Sequence, residues 1–238
     1  MTDVATATLE RLLGGRPVRC YPAVVSTEAD ALAWARAGGP HGAVVVAEYQ
    51  ASPRGRAGFP WSTPPGHSLG FSVLLRPDLP VDREGWLYLV AACALADVAD
   101  VSGSGTTIRW PDTVERDGTV VAQVAVQTDV DAMSVRWAVV SVLVADAASP
   151  RGPLLARAVE AIEARRTSPP EPLLADATAR CSTIGRRVRA RLVPMGPRGI
   201  VVEGRASRLN DEGSLVVETD SGRVQPVRPQ DLGVLEVS

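Results

Sequence analysis

In GAVVVAEYQASPRGRAGFPWSTPPGHSLGFSVLLRP, residues Gly42 to Pro77, two apolar, β-branched runs flank a segment that no regular element can hold. Gly42 to Gln50 lacks alternation, the pattern of a strand covered on both faces. Ala51 to Gly66 carries four prolines, three glycines and two arginines and reads as a long loop. His67 to Pro77 returns to a strand. Upstream, Glu28 to Ala37 has helical spacing at Ala31, Leu32, Trp34 and Ala35 and stops at Gly38-Gly39-Pro40. Downstream, Glu84 to Val101 predicts a helix with Leu87, Val90, Ala91, Ala94 and Leu95 on one side. This alternation of helices and strands predicts an α/β (α+β) fold.

Further along, TIRWPDTVERDGTVVAQVAVQTD reads as two strands joined at Arg116-Asp117-Gly118, with Val120, Ala122, Val124 and Val126 on one face. Ser134 to Asp146 adds a strand and Pro153 to Arg166 a helix. Thr167 to Pro172 is a break, followed by a short helix from Leu173 to Cys181. Beyond that point only short strands follow, with turns at Asn210-Asp211-Glu212-Gly213 and Asp220-Ser221-Gly222. The expected division is an α/β domain over residues 1–182 and a small β-barrel over residues 183–238.

Composition narrows the function classes. The chain has 238 residues, 45% hydrophobic and 22% charged, with a net charge of -2, which speaks for a globular protein and against a surface devoted to nucleic acid. No apolar run approaches the roughly 18 residues of a membrane span, and the first residues lack the layout of a secretory signal, so a cytoplasmic protein is expected. Cys20, Cys93 and Cys181 are odd in number and far apart, and neither His41 nor His67 has a partner at ligand spacing. No disulfide framework and no metal site is expected. All 25 basic residues are arginine, so no step that needs a lysine ammonium can run on the chain's own side chains.

The loop carries the chemistry. Pro53-Arg54-Gly55-Arg56-Ala57-Gly58 sets two guanidiniums and a permissive backbone between two buried strands. Guanidinium forks suit carboxylate or phosphate, and glycine admits close backbone approach. The same residues also fit a solvated surface loop. Arg186, Arg187, Arg189 and Arg191 form a basic stripe whose alternation with Val188, Ala190 and Leu192 fits one solvated strand face.

The run AEYQASPRGRAGFPWSTPPGHSLGFSVLLRP resembles the biotin protein ligases, which run AE.Q..GRGR.G..W.SP.G..L.FS.LLRP in this order. VVSTEADALA is similar to that family's first motif, WLYLVAACALADV to its long helix, IRWPD to its KWPND segment, and ARCSTIGRRVRARL to the junction before its C-terminal barrel. GRASRLNDEGSLVVETDSGRVQPVRPQDL resembles the barrel itself. The resemblance implies a core like that of the class II synthetases with a small Src-homology-type β-barrel. It also implies a two-step reaction: biotin and ATP, with Mg2+, give biotinyl-adenylate, and a carrier-domain lysine then takes the acyl group. By resemblance Gln50 meets the biotin head group with Ser26 and Thr27 beside it. Arg54, Gly55 and Arg56 form the closing loop, and Trp61 lines the pocket; Trp110, Asp112 and Gln123 face the adenylate. Ser26 and Thr27 fit a helix cap equally well, and Trp61 a core aromatic.

Departures from the family pattern bear on activity. Pro53 stands at a glycine position and Glu28 at an asparagine position. In IRWPDT, Arg109 holds the catalytic lysine position, Asp112 the asparagine position and Thr113 the aspartate position. Gln123 replaces a glycine that let the backbone approach the ligand, and VVSVLVAD replaces a GIGLN-like strand. The expected function is therefore a divergent, catalytically impaired homologue that keeps binding of a biotin-like small molecule or a biotin carboxyl carrier domain. An active ligase using Arg109, and a non-catalytic interaction module with a closed pocket, are the alternatives. Only 25 residues precede the STE segment, so no winged-helix DNA-binding domain and no nucleic-acid partner are expected; a homodimer is allowed.

Overall fold

The computed structural model describes residues 6–61, 66–100, 105–145, 147, 150–196 and 199–238. Seven strands form one sheet in the order β1-β2-β3-β7-β6-β5-β4: β1 (Val18–Val24), β2 (Ala43–Gln50), β3 (Leu69–Leu75), β4 (Thr106–Arg109), β5 (Thr113–Arg116), β6 (Thr119–Val130) and β7 (Val135–Val144). Within this sheet β1 and β2 pair in parallel and the other neighbouring strands pair antiparallel. The helices are α1 (Thr6–Leu12), α2 (Thr27–Arg36), α3 (Trp86–Ala99), α4 (Arg151–Arg166) and α5 (Pro170–Arg180).

The two faces of this sheet are covered differently. One face packs on α3, with α4 and α5 behind it, in a continuous apolar core that includes Phe71, Val73, Val124, Val140, Leu155 and Ile162. The sequence predicts α3 to be apolar on one side, yet Trp86 through Ala96 are all buried. The far side of α3 is occupied by α4 and α5, and its Ala92, Cys93 and Ala96 are small enough for close helix approach. The other face is covered by α2 over a smaller cluster of Ala31, Ala35, Ala43, Val45, Leu74, Trp137 and Val139. Beyond the end of α2 this face is left to the loop after β2.

The structure departs from the sequence reading at several points, the unexpected helix α1 among them. The edge strand β1 was not expected, because Pro22 and a largely half-exposed pattern hide its periodicity. The segment before Arg116 is two strands, β4 and β5, closed by a tight turn at Trp110–Asp112. The break after α4 is only Thr167 to Pro169, since Pro170 and Pro172 sit in the first turn of α5, where proline is tolerated.

The second sheet is fully antiparallel, in the order β11-β10-β9-β8-β12: β8 (Arg187–Leu192), β9 (Val201–Leu209), β10 (Leu215–Glu218), β11 (Val224–Val227) and β12 (Leu232–Val237). In β8, Val188 and Ala190 are buried while Arg187, Arg189 and Arg191 pair with Asp220, Glu203 and Glu236. The basic stripe is thus neutralised on the strand's solvent face. Two indoles fasten this sheet to the first one: Trp86 Nε1 donates to Asp211 O at 2.7 Å and Trp110 Nε1 to Gly213 O at 3.3 Å.

Candidate functional site

Strand register builds the site on the face shared with α2. Val45, Ser72, Ser141 and Ala125 stand opposite one another across β2, β3, β7 and β6. The next row holds Ala47, Gly70, Leu143, Gln123, Thr113 and Arg109. Directly paired residues point to the same side, so these two rows are the floor beneath the loop.

At the α2 end of the floor lies a buried polar file. Thr27 donates to Gln50 Oε1 through its backbone N–H at 2.8 Å and its hydroxyl at 3.1 Å. Ser72 Oγ donates to Thr27 Oγ1 at 3.0 Å and shares a 2.9 Å bond with Ser141 Oγ. Gln50, Thr27, Ser72 and Ser141 are all at most 7% exposed. Such groups are retained in an interior only when their hydrogen bonds are made, and here they make them with each other. Ser26, at the N-cap position of α2, is buried and makes no side-chain cap bond. The structure therefore brings Thr27 to Gln50, as the resemblance implies, while Ser72 and Ser141 were missed. Their only signal in the sequence is a lone serine inside each of two apolar strands.

The loop folds back on itself. Gly55 N–H donates to Phe59 O at 2.6 Å, and Trp61 N–H to Pro53 O at 3.0 Å. The Trp61 indole lies against Gly55 so closely that a Cβ there would be 2.4 Å from Nε1, so any larger residue would have to displace the indole. Ala57 has φ 54°, a left-handed conformation uncommon for a residue with a side chain. Arg54 is exposed and donates to Gly58 O at 3.1 Å, within the loop.

Arg56 points the other way, into the molecule. Its Nε donates to Asp112 Oδ2 at 2.6 Å, and its Nη1 to Gly233 O at 2.7 Å and to Leu232 O. The other oxygen of Asp112 accepts from Thr113 Oγ1 at 3.0 Å. Arg109 pairs with Glu115 at 3.1 Å. A cleft of about 260 Å³ opens beside these pairs, lined by Gly55, Arg56, Trp61, Arg109, Trp110, Asp112, Thr113 and Gln123, together with Leu235 of β12. Seven of the positions singled out from the sequence, Gly55, Arg56, Trp61, Arg109, Trp110, Asp112 and Gln123, thus meet at one cleft. Arg54 and the Ser26, Thr27 and Gln50 group lie outside its lining.

Near the loop, Glu28 in the first turn of α2 has a buried carboxylate oxygen without a hydrogen-bond partner. Burial pushes its carboxyl above the usual range, and the nearby Arg54 charge only partly opposes this. Among the described residues, no group of three or more His, Cys, Asp or Glu is arranged to hold a metal ion, and no helix is long and apolar enough to cross a membrane. Magnesium carried on nucleotide phosphates needs no such cluster.

No family model matches the chain. It is 33% identical to the biotin--[acetyl-CoA-carboxylase] ligase of Mycobacterium tuberculosis over 237 residues, an alignment covering 87% of this chain and 85% of that protein. It is 27% identical over 129 residues to the bifunctional ligase/repressor BirA of Bacillus subtilis, covering 54% of this chain and 40% of the relative. Among solved structures, the biotin protein ligase of Aquifex aeolicus in complex with biotin and ATP superposes with a TM-score of 0.68 at 18% identity, covering 93% of this chain and 99% of that one. A biotin protein ligase-like protein of unknown function from Silicibacter gives a TM-score of 0.68 at 11% identity, over 90% of this chain and 95% of that one.

Proposed function

The chain belongs to the biotin protein ligase family, and from that premise we propose that it is a divergent member whose adenylation step is impaired while a small cleft for an anionic ligand is kept. One observation carries this reading: the guanidiniums at the cleft are engaged by carboxylates of the same chain, Arg56 by Asp112 and Arg109 by Glu115. Adenylate formation needs positive charge aimed at the reacting carboxylate and phosphate oxygens. Here an incoming anion must first displace Asp112 from Arg56, a pair in which both side chains are at most 16% exposed. A hydrogen bond to a charged group contributes about 1.5–3 kcal/mol, so this competition weakens an anionic ligand by roughly 10- to 100-fold.

The substitutions reinforce each other. An asparagine at position 112 would leave Arg56 uncompensated; aspartate there supplies the neutralising charge. With every basic residue an arginine, no ammonium can replace the missing lysine at position 109, and the guanidinium is planar, bulkier and differently aimed. The cleft itself, at about 260 Å³, falls just below the roughly 300–1,000 Å³ usual for small-molecule sites.

On this reading Trp61 and Gly55 shape the cleft wall and Gln123 and Thr113 its floor. The preserved partner is a carboxylate-bearing small molecule or a biotin carboxyl carrier domain, in a cytoplasmic setting. The test is transfer of biotin to a carrier domain with ATP and Mg2+. The reading predicts product at background even with protein and carrier at equal concentrations. Turnover on the order of 1 s⁻¹ would favour a working ligase that uses Arg109.

A further inference from the structure

The floor of the site contains a buried aliphatic residue, Leu143, that belongs to neither hydrophobic cluster among the described residues. Gly70, Leu143 and Gln123 stand side by side in register on β3, β7 and β6. The Gln50 amide lies over Gly70, where a Cβ would be 2.1 Å from its Nε2. Gln123 lines the cleft. Leu143 stands between them, 4% exposed. A branched aliphatic residue thus stands in the row between the seat of Gln50 and the residue that lines the open cleft.

Neighbouring strands lie about 4.8 Å apart, so the seat of Gln50 over Gly70 and the side chain of Gln123 are separated by roughly 10 Å. A ligand that placed a head group at Gln50 and a carboxylate in the cleft would have to cross that distance over position 143. We propose that Leu143, with Gln123 beside it, is a length filter: it divides an elongated ligand channel into two ends and keeps a molecule as long as biotin from reaching Gln50. Biotin is then kept from the Gln50 end, and any carboxylate that enters the cleft has to compete with Asp112 and Glu115 for the guanidiniums. This deepens the proposed function and rests on the cleft being the inherited ligand site.

The experiment is calorimetric titration with biotin of the wild-type chain, Leu143→Ala and Gln123→Gly, each shown to be folded by its thermal transition. The wild type is expected to give no saturation up to about 1 mM biotin. Leu143→Ala is expected to bind at least about tenfold more tightly, and Gln123→Gly to gain less, because its side chain only borders the cleft. If Leu143→Ala does not fold, Leu143→Val is read in its place. Micromolar binding by the wild type, or no gain in any folded variant, overturns the filter. Transfer activity is not read in this titration, so an active centre behind a filter and an impaired centre without one give different pairs of results.

Discussion

The seven-stranded sheet has two faces made by the same strands, and they are built on different principles. Toward α3, α4 and α5 the strands present Phe71, Val73, Val124, Val140 and Val142, and the helices answer with Leu155, Val159 and Ile162. Such a face is held by apolar area and close packing, roughly 25 cal/mol per Å² buried. Toward α2 and the loop the same strands present an apolar cluster of Val45, Leu74, Trp137 and Val139 and, beside it, Ser72, Ser141, Gly70, Gln123 and Thr113, and the cover is a helix that buries mainly alanines and a loop whose Arg56 reaches Asp112. Beside that apolar cluster, this face carries hydrogen bonds and an ion pair whose groups satisfy one another. The difference separates what keeps the molecule folded from what a ligand can compete for.

Truncations on the helix-covered face should therefore do the most harm. Ile162→Ala and Leu155→Ala, both at fully buried positions, are expected to lower unfolding free energy by about 2–5 kcal/mol in urea titrations. A loss below about 1 kcal/mol would show that this core can collapse around the cavity, and the contrast between the faces would fail.

Next in size are changes to the buried file. Thr27→Val removes the hydroxyl that links Gln50 to Ser72 and leaves their atoms short of partners, for an expected loss of about 1–3 kcal/mol. Ser72→Ala together with Ser141→Ala should cost less than the sum of the two single changes, because the shared 2.9 Å bond is lost only once. Full additivity would mean that the serines do not couple.

Asp112→Asn should alter stability less, by up to about 2 kcal/mol, since Arg56 keeps its bonds to Leu232 and Gly233. The local effect should be plainer: faster tryptic cleavage after Arg54 or Arg56 in limited proteolysis. Unchanged cleavage would show that the loop is closed by its own backbone bonds and by Trp61 rather than by the Arg56 pair.

The smallest effect concerns pH. Burial raises the Glu28 carboxyl, so the native state binds this proton more tightly than the unfolded chain does. Its contribution to stability is present below the ordinary carboxylate range and is lost as pH rises through the raised value. Glu28→Gln should accordingly be more stable than the wild type at neutral pH, with the difference closing in acid. Melts compared at pH 4 and pH 7 read the sign; a variant less stable at pH 7 would place a stabilising ion pair with Arg54 above the cost of burial.

How far the sequence carries the account differs between the faces. The strands β2, β3 and β7 and the helices α2, α3 and α4 are legible because long apolar runs report burial directly. The strand β1 is not, because Arg19 and Pro22 break the pattern on an edge that solvent tolerates. At the site, the glycine and arginine loop and Gln50 stand out through their motif. The pairing of Arg56 with Asp112 and with the backbone of β12 joins residues 56 and 177 positions apart, which no local pattern encodes. Leu143 is hidden more completely, since an aliphatic residue in a strand reads as core; only its register between Gly70 and Gln123 shows what it faces.

The central claim, that the cleft's positive charge is neutralised from within, is tested most directly by calorimetric titration of MgATP into the wild type and Asp112→Asn. The account predicts weak binding to the wild type and a gain of about tenfold in Asp112→Asn, because the phosphates no longer compete with the Asp112 carboxylate for Arg56. Equal affinity in the two proteins, with the wild type already saturating at micromolar nucleotide, would contradict it.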